Sequence, residues 1–200
     1  MTILGDANQS VNPYSSTKAE DIQKIFAGSE LVVLNKSYRS TLQIAQFAQR
    51  ISPNEDLEVI ERHGKEPEVL ACKTEMEELD TLIHFIRDFE KSDHQSLGVI
   101  CKTAKKAKAL HQQLRERDIE HFLITEKSRS FKHGTLLTHA HLAKGLEFDR
   151  VIIPHIHAKN YRTEVDRCML YIACTRAMHE LSLTYTGKLT DFIKFHPGYS

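Results

Sequence analysis

The chain has 200 residues, about one and a third times a typical domain, which predicts one sizeable domain plus a fragment of another. Its 40% hydrophobic and 27% charged residues are typical of a globular protein with a real core and exclude a disordered or fibrous chain. Because the 27 basic and 27 acidic residues cancel, any binding of nucleic acid must depend on a local surface rather than on net charge.

Targeting features are missing from the sequence. No apolar run approaches the roughly 20 residues of a membrane helix, and the first residues lack the pattern of a secretion signal. The four cysteines include no Cys-x-x-Cys pair, which is typical of reduced thiols. We therefore expect a cytoplasmic protein with no membrane partner.

Short apolar segments alternate with segments of helical period, which predicts an α/β fold with a parallel sheet and helices on both faces. Strands are predicted over residues 2–5, 31–35, 68–72, 97–101, 120–125, 135–139, 148–153 and 181–185. Helices are predicted over residues 18–27, 41–51, 75–90, 103–117 and 164–179, with a short one over 189–195. Residues 28–30 (GSE) are a candidate domain junction, and residues 52–67 are predicted to be irregular.

The first stretch that packing does not explain is residues 37–41 (SYRST). Ser40 and Gln43 have the spacing of a helix capping box, so Arg39 lies between a predicted strand and a capped helix. The carboxyl end of a parallel strand is where open α/β sheets bind ligands. A guanidinium there suits an anionic oxygen, although a solvated surface arginine explains this stretch equally well.

A second stretch, residues 138–149, lies between two apolar strands. Gly145 permits a positive φ or a close approach of the backbone. Glu147 and Asp149 alternate with apolar residues, which predicts two carboxylates on one face of the entering strand. They could accept hydrogen bonds from a sugar hydroxyl or bind a metal, or they could simply be solvated.

The third stretch, residues 170–177, is predicted to be a deeply buried helix that carries Arg176 in its body. A buried guanidinium without a partner costs several kcal/mol, so Arg176 needs an anionic partner. An internal carboxylate and a ligand phosphate are equally good candidates.

Four segments in this order resemble motifs III to VI of superfamily-one helicases of the UvrD/Rep/PcrA type: residues 5–10 (GDANQS), 38–41 (YRST), 143–149 (AKGLEFD) and 170–177 (LYIACTRA). The details of the last three most resemble the HelD, or helicase-IV-like, branch. The resemblance implies that residues 1–28 end a first motor domain and that residues 29–200 form a second, RecA-like motor domain.

The resemblance also implies roles at a nucleotide. Tyr38 would stack on adenine, Arg39 and Arg176 would contact the γ-phosphate, Glu147 would bind ribose, and Gly145 would allow the tight turn before it. Such roles suit phosphoryl transfer, which needs positive charge around the γ-oxygens more than covalent help.

Other residues are implied to face nucleic acid. Thr138 and His139 would contact its backbone, and Gln9 would couple the nucleotide site to the single-strand channel. The implied partners are single-stranded DNA and the upstream motor domain.

The sequence contains no Gly-x-x-x-x-Gly-Lys-Ser/Thr loop, so the ligands of ATP phosphates and Mg²⁺ are expected in the first motor domain, and no residue here is assigned to a metal. The chain alone should not hydrolyse ATP. Only about a hundred residues separate Tyr38 from Gly145, where better-known relatives carry a large inserted subdomain. An ATP-driven remodeller of RNA polymerase or of other nucleic-acid–protein complexes is therefore an alternative to a helicase.

Two further hypotheses come from other classes. A metal-dependent hydrolase could use the spaced histidines and nearby aspartates, namely His139, His141, His155, His157, Asp149 and Asp166. A catalytically silent module could bind nucleic acid through the lysine cluster at the start of one helix, namely Lys102, Lys105, Lys106 and Lys108.

Overall fold

The computed structural model describes residues 39–53, 62–128 and 133–195, together with the backbone of residues 36–37 and 58–59. The predicted strands over 2–5 and 31–35, the helix over 18–27 and the junction at 28–30 lie outside these residues, as do Gln9 and Tyr38.

Six strands form one sheet, in the order β3-β8-β7-β4-β6-β5, and every neighbouring pair is parallel. They are β3 (Glu68–Cys72), β4 (Ser96–Cys101), β5 (Phe122–Leu123), β6 (Gly134–His139), β7 (Phe148–Ile153) and β8 (Ala177–Thr186). Two short strands, β1 (Lys36–Ser37) and β2 (Glu58–Val59), form a separate parallel pair. Part of the segment predicted to be irregular is therefore a strand.

The helices of the described ranges cover both faces of the sheet, as predicted. They are α1 (Leu42–Ile51), α2 (Glu75–Glu90), α3 (Ala104–Glu116), α4 (Ala140–Ala143) and α5 (Glu164–Cys174), followed by a 3-10 turn at Asp191–Ile193. One core packs α1, α4 and α5 against the sheet, and the other packs α2 and α3. None of the helices in these ranges has the length and apolar character needed to cross a bilayer.

The predicted bounds of the helix over residues 164–179 are wrong. That helix was expected to reach residue 179, but α5 ends at Cys174 and β8 begins at Ala177. The run of buried apolar residues continues through both elements, and a buried strand cannot be separated from a buried helix by periodicity alone. Arg176 therefore lies in the turn between helix and strand, not in the body of a helix.

The predicted capping box at α1 is also wrong. Thr41 occupies the N-cap position of α1 without a capping hydrogen bond from its side chain, and the side chain of Ser40 donates instead to the carbonyl of Ala177, at 2.6 Å. At α2 the cap is partly as expected, since Thr74 accepts from the backbone N–H of Glu77 at 3.1 Å. The Glu77 carboxylate, however, accepts from the N–H of Lys73 rather than from that of the cap residue.

Parallel strands give the sheet two distinct edges. We call the edge where β4, β6, β7 and β8 begin the amino-terminal edge, and the edge where they end the carboxyl-terminal edge. At the amino-terminal edge the ring of Phe148 packs over Gly98, where an added Cβ would lie 2.5 Å from it, so β4 needs glycine at this point.

Candidate functional site

Residues from distant parts of the chain meet at the amino-terminal edge. The Nε of Arg39 donates to the carboxylate of Glu147, 108 positions away in sequence. Next to this pair, the buried Ser40 hydroxyl donates to the carbonyl of Ala177, 137 positions away, and so fixes the chain that carries Arg39. Arg39 comes two residues after the short parallel strand β1, and its partner Glu147 immediately precedes β7, at the amino-terminal edge of the six-stranded sheet. The strand predicted over residues 31–35, whose carboxyl end was expected to carry Arg39, lies outside the described residues.

The turn before β7 positions Glu147. Gly145 has φ +89°, in the left-handed region that favours glycine, and nothing lies within 4 Å of an added Cβ, so the need is conformational rather than steric. The N–H of Leu146 donates to the carbonyl of Ala143 at 3.0 Å. On the far side of Glu147, the N–H of Phe148 donates to the carbonyl of Arg176, also at 3.0 Å. Glu147 is thus held between two backbone anchors.

Arg176 is 1% exposed and lies against the same turn. Its guanidinium donates to the carbonyl oxygens of Ile172 at 3.1 Å and Leu146 at 3.4 Å, and to the Thr175 hydroxyl at 3.1 Å. These oxygens orient the side chain and link it to the residue before Glu147. Because the guanidinium is covered, contact with a phosphate requires neighbouring groups to move aside.

Asp149 does not share the role predicted for Glu147. Its Oδ2 accepts from the backbone N–H groups of Gln95 at 2.7 Å and Ser96 at 2.9 Å, which anchors the start of β4. Burial alone would raise the pKa of Asp149, but these hydrogen bonds hold it below its usual range. One oxygen of this carboxylate is therefore committed to the fold.

The two residues expected to face nucleic acid lie in β6, toward the carboxyl-terminal edge. Thr138 is fully buried, and its hydroxyl has no hydrogen-bond partner within the part of the chain that the structure describes, so its side chain is not presented to a ligand here. His139 is half-buried at the end of β6 and lines a cavity of about 410 Å³ with Lys108, Lys127 and Leu142. Burial and the nearby His141 lower the pKa of His139, so it is neutral near pH 7.

The spaced histidines and aspartates do not form the predicted metal centre. Thr163 caps α5, and the Asp166 carboxylate completes the capping box by accepting from the Thr163 N–H and forms an ion pair with Lys102. His155 bonds to Glu78. Among the described residues, the group of side chains close enough to share an ion contains none of the four histidines of that hypothesis.

The lysine cluster at the start of α3 is divided. Lys102 is half-buried in its ion pair with Asp166, so it is committed to the fold. Lys105 and Lys108 are exposed, and Lys106 and Lys108 line different cavities on either side of α3. A local basic surface therefore remains, but with fewer lysines than the sequence predicts.

Sequence reasoning missed a buried carboxylate at the carboxyl-terminal edge. Glu78 is 1% exposed and accepts four hydrogen bonds, from the His155 N–H (2.8 Å) and ring Nδ1 (3.1 Å) and from the hydroxyls of Thr184 and Thr186 (both 2.8 Å). Burial alone would raise the pKa of Glu78, but the contacts with His155 and Thr186 lower it to about 2. A signal was present, because Glu78 shares the apolar stripe of α2 with Leu82 and Ile86.

The sheet is parallel, and a layer of helices covers each of its faces. This arrangement defines a RecA-like α/β domain. A family model described as the UvrD-like helicase C-terminal domain matches residues 32–134, and a second model of the same description matches residues 135–184. The C-terminal domain of a possible DNA helicase from Lactobacillus plantarum WCFS1 is 33% identical, with a TM-score of 0.67 over 78% of this chain and 92% of that one. The chain belongs to the UvrD-like helicase C-terminal domain family.

A structure of Arterivirus nonstructural protein 10 (helicase) with DNA also matches, at 11% identity and a TM-score of 0.41 over 60% of this chain and 28% of that one. No curated protein matches the chain in sequence.

Proposed function

We propose that this chain is the C-terminal motor domain of an ATP-dependent single-stranded DNA translocase or helicase, with nucleotide contacts at the amino-terminal edge of its sheet. The observation that carries the proposal is the meeting of Arg39 with Glu147, beside the Ser40–Ala177 bond and Arg176. Residues this far apart in sequence are brought together by the fold, and they combine cations with a carboxylate at one surface.

The chemistry of these side chains fits a nucleoside triphosphate. The side chains of Arg39 and Glu147 are 39% and 43% exposed, so a ligand can reach both. In the proposal a ribose hydroxyl donates to Glu147, and the released Arg39 guanidinium donates to γ-phosphate oxygens, where it stabilises developing charge. Tyr38, which lies outside the described residues, would stack on adenine. Mg²⁺ supplies further charge neutralisation and would be held by the first motor domain.

Arg176 contributes in the proposal as a second cation for the γ-phosphate, once closure of the first motor domain displaces the groups that cover it. Its bond to the carbonyl of Leu146 links that movement to Glu147. Gln9, in the segment assigned to the first motor domain, would couple the same movement to the nucleic-acid channel.

Nucleic acid would bind at the carboxyl-terminal edge, where His139 lies beside a cavity lined by Lys108 and Lys127. Lysines on a cavity rim suit phosphates, and the apolar wall that includes Leu142 suits a base or sugar. Since Thr138 is buried, its contribution would be to position His139 rather than to touch the strand.

The alternative of an ATP-driven remodeller, with RNA polymerase as one partner, rests on the segment between α1 and Gly145. The described parts of this segment form β2, which pairs with β1, and β3 to α4, which belong to the central sheet and its helical layers. A motor without an inserted unwinding subdomain would move along single strands and displace bound proteins. Displacement of a protein block from single-stranded DNA without duplex unwinding would favour this alternative.

The test uses a polypeptide that joins the first motor domain to this chain, in which ATP hydrolysis is measured with and without single-stranded DNA. We expect Arg39→Ala to lower DNA-stimulated turnover by at least about 100-fold, as for other arginines at a γ-phosphate. The matched control is Arg87→Ala, an exposed arginine of α2, which should leave turnover unchanged. Wild-type turnover in Arg39→Ala would overturn the proposal.

A further inference from the structure

Three potential metal ligands converge at the amino-terminal edge, outside the nucleotide contacts. They are His94 from the loop before β4, Asp149 from β7 and His179 from β8. One ligand atom from each, all lying within 4.8 Å of one another, could face a common point. All three residues are half-buried, so a small ion can reach them while part of the coordination shell is protein.

The spacing of these atoms suits a bridging ion better than direct hydrogen bonds. The Nε2 of His179 lies 3.8 Å from Oδ1 of Asp149, too far for a hydrogen bond. Ligands at roughly 2.0–2.1 Å from a tetrahedral ion are about 3.4 Å apart, so a slight closure would bring them into range. Asp149 is already oriented for this, because Gln95 and Ser96 hold its Oδ2 and leave Oδ1 toward His179.

We propose that His94, Asp149 and His179 bind one transition-metal cation of the Zn²⁺ class, with water completing its coordination. Two imidazole nitrogens and one carboxylate oxygen suit Zn²⁺, whereas Mg²⁺ prefers an all-oxygen shell. The proposal does not depend on ATP or nucleic acid, and it departs from the expectation that the chain has no metal ligands.

Neighbouring charges define the limits of the site. Glu180 lies 3.9 Å from the Nε2 of His94 but is held by Lys65 and Arg150, so it stays outside the ligand set. Arg62 lies 3.1 Å from the other ring nitrogen of His179. A metal on Nε2 places the proton on Nδ1, which ends that hydrogen bond and leaves Arg62 with the carbonyl of Met178 alone. Arg62 therefore competes with the metal.

The position of the site gives it a structural role. Asp149 is two residues from Glu147, and His179 is three residues from Arg176. A bound ion would join the starts of β4, β7 and β8 and so stiffen the segments that carry the proposed nucleotide contacts.

The experiment is a calorimetric titration of the chelator-treated 200-residue chain with zinc chloride near neutral pH, with circular dichroism to verify that each variant is folded. We expect a stoichiometry of one and a rise in Tm with zinc but not with magnesium. His94→Ala and His179→Ala should each weaken binding by at least about tenfold.

Matched variants separate this site from others. His84→Ala, at an exposed histidine of α2, and Cys168→Ser, at the half-buried free thiol, should bind zinc as the wild type does. Arg62→Ala should bind it more tightly. Absence of zinc binding in the wild-type chain, or wild-type affinity in folded His94→Ala and His179→Ala, would overturn the proposal.

Discussion

The charged side chains at the two edges of the sheet differ in their exposure and in their hydrogen bonding. At the carboxyl-terminal edge, Glu78 is 1% exposed and each of its oxygens accepts two hydrogen bonds from His155, Thr184 or Thr186. At the amino-terminal edge, Arg39 and Glu147 are half-open to solvent and bond to each other. A ligand could replace one partner of the exposed pair, whereas both oxygens of the buried carboxylate are already occupied by donors of the fold.

This difference separates stabilising charge from available charge. Removing a buried carboxylate that is fully hydrogen-bonded strongly destabilises the protein, because the donors of those hydrogen bonds are then left without acceptors. A pair of half-exposed side chains contributes little to stability, since water competes for both. The comparison therefore predicts where substitution affects folding and where it affects function.

The largest effect is expected from Glu78→Ala. The variant removes the acceptor of four hydrogen bonds that join α2, β8 and the loop after β7, and it leaves a small cavity. We expect the free energy of unfolding to fall by about 3–4 kcal/mol, as for other broken buried charge contacts. Urea denaturation followed by circular dichroism measures this, with Glu90→Ala, at an exposed glutamate of the same helix, as the control.

Acid should remove nearly as much stability through the same residue. The pKa of Glu78 is lowered from 4.5 to about 2 on folding, so its stabilisation is present above about pH 4.5 and is lost as the pH falls toward 2. We expect the advantage of the wild type over Glu78→Gln to shrink by about 2 kcal/mol between about pH 6 and pH 3. Urea midpoints across this range measure it, and a constant difference would contradict the assignment.

The sequence predicted the architecture better than the site because hydrophobic pattern is local and side-chain contacts are not. The bounds of β3, α2 and β7 were predicted to the residue, and the parallel arrangement is confirmed. The start of β8 was missed because buried helix and buried strand have the same composition here.

Contacts between distant residues had no local signal. Ser40 has the spacing of a capping box, and nothing near it in sequence indicates that its hydroxyl reaches Ala177 instead. The motifs predict Arg39 and Glu147 as site residues, but only the fold shows that the two side chains meet at the amino-terminal edge. Glu78 lay on an apolar stripe, which was a readable signal of burial.

Arg176→Ala should lower stability by about 2 kcal/mol, since it leaves the carbonyls of Ile172 and Leu146 without this donor and opens space in the core. Arg176 therefore combines both kinds of charge, because it is buried and stabilises the fold and is also proposed to contact the nucleotide. Arg176→Lys keeps the charge but loses the planar fork. Folded Arg176→Lys with full DNA-stimulated turnover in the joined motor would restrict Arg176 to a structural role.

Ser40→Ala tests how firmly the arginine-bearing chain is anchored. Loss of the buried bond to the carbonyl of Ala177 should cost about 1 kcal/mol and leave a carbonyl with one fewer donor. Ser92→Ala, at a half-buried serine that donates to the carbonyl of Phe89 three residues earlier, is a matched control with a smaller expected loss. In the joined motor, Ser40→Ala should also raise the KM for ATP, and an unchanged KM would show that Arg39 does not depend on this anchor.

The smallest effect on folding, and the sharpest test of the comparison, is expected at the exposed pair. Arg39→Ala, Glu147→Ala and the double variant form a cycle whose coupling free energy should lie between about 0 and 1 kcal/mol, and it should decrease with added salt. Turnover should respond very differently, since either single variant removes a proposed nucleotide contact. A coupling free energy above about 2 kcal/mol would mean that the pair stabilises the fold, as Glu78 does. The proposed difference between the two edges, with stabilising charge at one and charge available to a ligand at the other, would then be wrong.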